Sequence, residues 1–334
     1  MRLVYKRIIK FFLFFFITLF LFWLVYRDQN WTDLKKVLKE DVDYTWIWVA
    51  IGMGILSHIA RALRWQLLTR SMGYRIRFLN SFMGVMIGYF ANIALPRMGE
   101  FTRCGVVGKY EHVPFSKLLG TVVTERVIDL LILLSLTLAV ILTQFRQLGL
   151  FLERNEAIER KVYSFLHSPW IWVAGVVLLA VLYLSWIILK RTPFYVRLKG
   201  FGQGLKEGLL SILHVKHKWL FVAYSLFIWL MYYLMFYVCF FCFRFTSDLG
   251  PLVALTVFVL SSYGMVAPVQ GGIGAWHFMV IASLLIYLPD TPGIESLVRT
   301  FALLTHGTMT LLYIFLGALC LIVLPLYNAK RNKL

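Results

Sequence analysis

The sequence predicts an all-α, polytopic membrane protein with about six spanning helices and two opposed re-entrant broken hairpins in an inverted repeat. Three observations carry that expectation. Hydrophobic residues make up 60% of the 334 and charged residues 15%, with a mean hydropathy of +0.76, whereas soluble domains run near half apolar and a quarter charged. Apolar runs over 11–26, 170–189, 220–243 and 311–326 approach or reach the length of a bilayer crossing. Two more apolar stretches, 80–107 and 251–288, are broken in the middle by proline, glycine and polar groups. A single water-soluble globule is excluded, and one integral membrane domain is expected over 1–334.

The chain opens with Arg2, Lys6, Arg7 and Lys10 ahead of a Phe/Leu run that ends at Trp23, Tyr26 and Arg27. No small-residue cleavage site follows, so 8–26 reads as an uncleaved first span with its N-terminus in the cytoplasm. A second span is expected over 44–60, followed by a basic cytoplasmic loop, 61–78, that holds Arg61, Arg64, Arg70, Arg75 and Arg77 and no acid. Within it Arg61, Arg64 and Trp65 share one helical face, and Arg61 reads best as a snorkelling anchor. The first broken stretch interrupts at Asn92-Ile93-Ala94-Leu95-Pro96-Arg97-Met98-Gly99-Glu100, the second at Ala267-Pro268-Val269-Gln270-Gly271-Gly272-Ile273-Gly274. Proline removes a helical hydrogen bond and glycine frees the backbone. Such breaks survive at membrane depth where they are buried in protein or line a wet cavity.

Threading both breaks as re-entrant hairpins gives spans at 8–26, 44–60, 118–143, 170–189, 219–243 and 298–325, with both termini in the cytoplasm. Cytoplasmic segments then hold 21 Lys+Arg and outside segments 9, as the positive-inside rule requires. Making only the first break a full crossing would move the seven-cation loop 190–218 outside. Each half, about 1–143 and about 170–334, reads span, span, hairpin, span, so the second half is inverted relative to the first. The 190–218 segment, with Gly200, Gly202, Gly204 and Gly208 among leucines and lysines, reads as an interfacial amphipathic helix on anionic lipid.

The formal net charge of +18 would suggest nucleic acid in a soluble protein. Here the cations sit in short loops between apolar segments, so anionic lipid headgroups are the expected partners and nucleic acid is not. Cys104, Cys239, Cys242 and Cys320 lie in apolar segments and read as small hydrophobes. The Cys239/Cys242 pair and His214/His217 are weak metal signals. No GxxxxGK[ST], HExxH or GxSxG is present, and no cofactor is expected.

Arg97, Glu100 and Arg103 follow the first break, and Glu125, Arg126 and Asp129 begin the next span. Each costs about 2.5–3.5 kcal/mol at a lipid-exposed helix centre, so they should face the interior or an interface. Two readings stand: a neutral ion-pair network that fixes the hairpin, and arginines that meet a lipid phosphate. In the second, Arg97 and Arg103 bind phosphate, and Arg64, Asn92, Pro96 and Arg126 belong to the same expected substrate-binding set. Glu100, Glu125 and Asp129 then orient the arginines. Pro268, Gln270, Gly271, Gly272 and Gly274 offer backbone amides as the opposite wall, or simply close packing. His277, one turn later, is a candidate for proton exchange or a satisfied interior histidine.

Together the arginine and tryptophan after the second span, Asn92 with Leu95-Pro96-Arg97-Met98-Gly99-Glu100, Glu125-Arg126-Ile128-Asp129, and Pro268 with Gly271-Gly272-Ile273-Gly274 resemble a known family. It is the flippase-like family of the lysylphosphatidylglycerol synthetase transmembrane domain, and the similarity extends over essentially the whole chain. The resemblance implies movement of lipids or lipid-linked compounds across the bilayer. In aminoacyl-lipid members a soluble synthetase domain follows. Here the sequence stops soon after the last span, so the translocating part alone is expected. His277 departs from the acidic residue common after GGIG in that family, which leaves a headgroup role there open. The expectation is therefore a translocase, not an enzyme, in the cytoplasmic (inner) membrane, acting on a phosphate-bearing lipid or lipid-linked compound. A membrane-embedded headgroup-modifying enzyme and a non-catalytic envelope scaffold remain the alternatives.

Overall fold

The structure is a computed structural model that describes residues 16, 20, 22–27, 30–155, 160, 194–289 and 291–331. It is all-α: among the described residues the one extended pairing is an isolated antiparallel bridge between Val42 and Phe243. The helices are α1 Trp31–Glu40, α2 Thr45–Ser71, α3 Phe78–Ala94, α4 Met98–Glu111, α5 Phe115–Arg154, α6 Phe194–Leu210, α7 Lys218–Val238, α8 Arg244–Ser247, α9 Pro251–Gly264, α10 Ala275–Leu284 and α11 Ile294–Arg331.

Four stretches among the described residues are long and apolar enough to cross a membrane: Thr45–Ser71, Phe115–Arg154, Lys218–Cys242 and Ile294–Ala329. They overlap the spans expected at 44–60, 118–143, 219–243 and 298–325 to within a residue or contain them. Of the span expected at 8–26 only 16, 20 and 22–26 are described, all helical, and the span at 170–189 lies outside the described residues.

Both broken stretches are pairs of short helices packed side by side. In the first, α3 lies against α4, and in the second α9 lies against α10. Small residues allow the approach. A Cβ on Gly88 would stand 3.0 Å from the carbonyl oxygen of Gly99, and one on Gly264 would stand 2.8 Å from Cα of Trp276. The two halves interlock. α2 runs along α7, α3 packs on α11, and α9 touches α5. One buried apolar cluster gathers Ile47, Phe236, Phe240, Val257 and Phe301, and another gathers Trp65, Met86, Val107 and Leu118 beneath the first hairpin.

Three boundaries differ from expectation. The second span does not give way to a basic loop at Arg61; α2 runs on to Ser71 because Arg, Ala, Leu and Gln are good helix formers and no breaker intervenes before Gly73. There φ is +86° and turn hydrogen bonds from Met72, Gly73 and Tyr74 close the helix. Arg61 is consequently buried and is not a snorkelling anchor. α5 exceeds 118–143 by continuing to Arg154, with a kink at Gln144. The 190–218 segment does contain a helix, α6, but Gly204 and Gly208 serve its contact with α5: a Cβ on Gly208 would lie 2.7 Å from Cα of Gly120. Thr124 of α5 also donates its hydroxyl to the Leu209 carbonyl at 2.9 Å.

Candidate functional site

The first break follows from its residues. Leu95, ahead of a proline, is extended (φ −141°, ψ 125°), as steric conflict with the pyrrolidine ring demands. Arg97 then takes φ +61°, a left-handed conformation unusual for a residue with a Cβ. Asn92 reaches across the break and accepts the Gly99 N–H at 2.6 Å, which satisfies one of the free donors in the first turn of α4. These constraints set the entry angle of α4 and turn Arg103 inward.

Behind the hairpin lies a buried network of charges. Glu125 and Asp129, four residues apart on α5, face Arg61 and Arg64, three apart on α2, and Arg103 on α4. Arg103 Nη2 donates to Glu125 Oε2 at 2.5 Å, Arg64 Nη1 donates to Asp129 Oδ1 at 2.8 Å, and Arg61 Nη1 donates to Asp129 Oδ2 at 3.4 Å. Arg64 Nε stands 3.4 Å from Glu125 Oε1. Arg126 completes the outer edge, 3.8 Å from Glu100 and 3.7 Å from Asp129. Trp65 supports Arg103 with its ring 4.9 Å from the guanidinium carbon and is itself fixed by a 2.8 Å hydrogen bond to Thr121. Opposite charges in contact are what make so many ionised groups tolerable away from water.

The second break is a chain of positive-φ glycines, Gly271, Gly272 and Gly274. Gly272 sits at φ +79°, where any side chain is strained, and a Cβ there would push on the Met265 sulfur. His306 of α11 donates from Nε2 to the Gly271 carbonyl at 3.0 Å. His277 accepts the Gly274 N–H on Nδ1 at 3.2 Å, with the His306 ring 4.6 Å away. The tips of the two hairpins are tied reciprocally. Arg97 Nη2 donates to the Val266 carbonyl at 2.7 Å, and Gln270 Nε2 donates to the Ala94 carbonyl at 2.9 Å.

Between these parts lies a cavity of about 690 Å³. Of the residues singled out from sequence, Asn92, Arg97, Glu100, Arg103, Arg126, Gly271 and Gly272 line it. Arg64, Glu125 and Asp129 form the network behind it without reaching its surface. Pro96, Pro268, Gln270, Gly274 and His277 do not line it: Pro268 sits in an exposed bend, while Gln270 and His277 are buried in contacts of their own. Glu125 and Asp129 orient Arg61, Arg64 and Arg103, not Arg97, whose guanidinium is exposed and engaged with Val266. Arg61, read from sequence as an anchor, lines the cavity together with Arg97 and Arg103.

Sequence reasoning also missed a polar aromatic nest beside Arg61. His58, one turn earlier on α2, is fully buried among Tyr89, Tyr232 and Tyr313, with ring centroids at 4.6, 6.2 and 5.4 Å. The Tyr89 and Tyr232 hydroxyls share a 2.9 Å hydrogen bond, and Arg61 Nη2 donates to Tyr232 at 3.2 Å. The signal was available as polar His58, Arg61 and Trp65 recurring at helical spacing in an apolar stretch.

Comparison with known proteins matches residues 8–317 to the lysylphosphatidylglycerol synthase TM region family. A UPF0104 membrane protein of Methanocaldococcus jannaschii is 33% identical over 111 residues, and the match spans 32% of this chain and 32% of that relative. The chain thus covers about a third of the relative's length. No solved structure matches.

Proposed function

Because this chain belongs to the lysylphosphatidylglycerol synthase TM region family, we propose that it is a lipid translocase of the cytoplasmic membrane, moving a phosphate-bearing lipid or lipid-linked compound between leaflets. The observation that carries this reading is the division of the cavity. Its floor holds the buried, charged Arg61 and Arg103, while its rim presents Phe101, Val123, Val127 and Leu130, all exposed apolar side chains on α4 and α5. A polar floor with a greasy open side fits an amphiphile: the headgroup enters the cavity while the tails stay in the hydrocarbon.

In this reading the two hairpins dip into the bilayer from opposite faces and the halves form an inverted repeat, with both termini in the cytoplasm. The Arg97–Val266 and Gln270–Ala94 hydrogen bonds act as a latch between the hairpin tips. Rocking one half against the other breaks the latch and exposes the cavity to the other side. The test is reconstitution of the purified protein in liposomes with a fluorescent phospholipid in one leaflet. Exchange between leaflets with the lipid chemically intact supports the translocase. A modified headgroup would replace it by an enzyme, and neither exchange nor product across several phospholipids would overturn it in favour of a scaffold.

A further inference from the structure

The ion pairs at the cavity do not balance. Among the described residues they join four arginines, Arg61, Arg64, Arg103 and Arg126, to three carboxylates, Glu100, Glu125 and Asp129. One positive charge is left over, and Arg97 at the rim adds a second whose hydrogen bond goes to a neutral carbonyl. The surplus has donors to spare. Nε of Arg61 and Nε of Arg103 are buried and make no hydrogen bond, although both side chains line the cavity and are no more than 5% exposed. A buried guanidinium N–H without an acceptor is unfavourable, and although Glu125 Oε1 and Glu100 Oε2 also lack hydrogen bonds, neither accepts from these two Nε groups.

We propose that Arg61 and Arg103 form an anion site at the cavity floor that takes a phosphate ester headgroup of net negative charge and turns away zwitterionic and cationic headgroups. This rests on the lipid-translocase reading and goes beyond it by fixing the sign of the headgroup charge and the residues that read it. A phosphate ester suits the site because its non-bridging oxygens can accept from two guanidinium groups at once. An ammonium group on the same lipid would meet uncompensated positive charge. Glu100 Oε2, which also lacks a hydrogen bond and borders the cavity, is placed to accept from a headgroup hydroxyl. Its charge is already offset by Arg126, so it offers little to an ammonium.

The experiment uses the full chain in neutral maltoside micelles with fluorescent phosphatidylglycerol as probe. The competitors are unlabelled phosphatidylglycerol, phosphatidylethanolamine and lysyl-phosphatidylglycerol with the same acyl chains, and soluble glycerol phosphate. Phosphatidylglycerol should displace the probe at a concentration at least about tenfold below that of phosphatidylethanolamine, with the lysyl ester weaker still. Arg103→Gln should erase that ranking and Arg103→Lys, which keeps the charge, should retain it. Should Arg103→Gln fail to fold, the wild-type ranking still decides. Equal displacement by the zwitterionic lipid, or stronger displacement by the lysyl ester, overturns the proposal. Glycerol phosphate matching phosphatidylglycerol would keep the anion site and overturn its assignment to a lipid. Binding preference without leaflet exchange would sink the translocase and leave the site; exchange indifferent to headgroup charge would do the reverse.

Discussion

Replacing Glu125 by glutamine is the most direct probe of the buried charges. The side chain has no exposed surface and holds two arginines, Arg103 at 2.5 Å and Arg64 at 3.4 Å. Glutamine preserves the shape but removes the charge, and its amide donors face guanidinium groups that are donors themselves. Removing one partner of a buried pair costs about 3–5 kcal/mol. The glutamine oxygen can still accept from Arg103, which offsets about 1 kcal/mol. A net loss of about 3 kcal/mol is a large part of a typical folding free energy of about 5–15 kcal/mol and should lower Tm by about 4 °C. Thermal unfolding in detergent measures it. Arg103→Gln alone should destabilise comparably, because Glu125 is then left with Arg64. The double variant should be more stable than the sum of the two losses by about 1–3 kcal/mol, since neither charge is stranded. Additive losses, or a Glu125→Gln loss below about 1 kcal/mol, would show that these groups do not act as a buried pair.

Other consequences are open to the same materials. Arg97→Gly should leave Tm nearly unchanged, because the relief of about 1–2 kcal/mol at a left-handed residue offsets the lost hydrogen bond, while leaflet exchange speeds up because the bond to Val266 that must break is gone; exchange at the wild-type rate would refute the latch. Gly208→Val should loosen α6 from α5, since even a Cβ meets the Gly120 backbone; a cost of about 1–3 kcal/mol is expected, with faster tryptic cleavage at Lys206, and an unchanged digest would refute the contact. On a background without native cysteines, Val266→Cys at the exposed cavity wall should react quickly with a small aqueous thiol reagent, whereas Gln270→Cys, at a position 4% exposed, should react slowly. The opposite order would misplace the cavity.

How far the sequence led can be traced residue by residue. The hairpins were visible because Pro96 and the Gly271-Gly272-Ile273-Gly274 run act on their own local backbone, and local effects are written in local sequence. The candidate cations and acids were also visible as charges where charge is expensive. Their pairing was not, because Arg64 and Asp129 are 65 residues apart and nothing in either segment names its partner. That distance also explains the misplaced end of α2. Arg61 and Arg64 look like loop residues until the carboxylates that neutralise them are in view. Arg97 and Arg103 look alike in sequence, and only the left-handed turn at Arg97 sends one outward and the other in.

A knot of polar groups at the far end of α11 bears on how the protein is made. Asn328 exchanges hydrogen bonds with Asn80 at 3.0 and 3.1 Å and accepts from Arg77 at 2.7 Å, while Glu111 holds Arg77 and Asn80 from the other side. The start of α3 and the end of α4 are thus clasped by a residue 248 positions downstream of Asn80. During biosynthesis the early hairpin leaves the ribosome long before its clasp exists, so it must wait for α11 to be inserted. Nascent chains arrested ahead of Asn328 should therefore leave that hairpin open to proteases or to the insertion machinery.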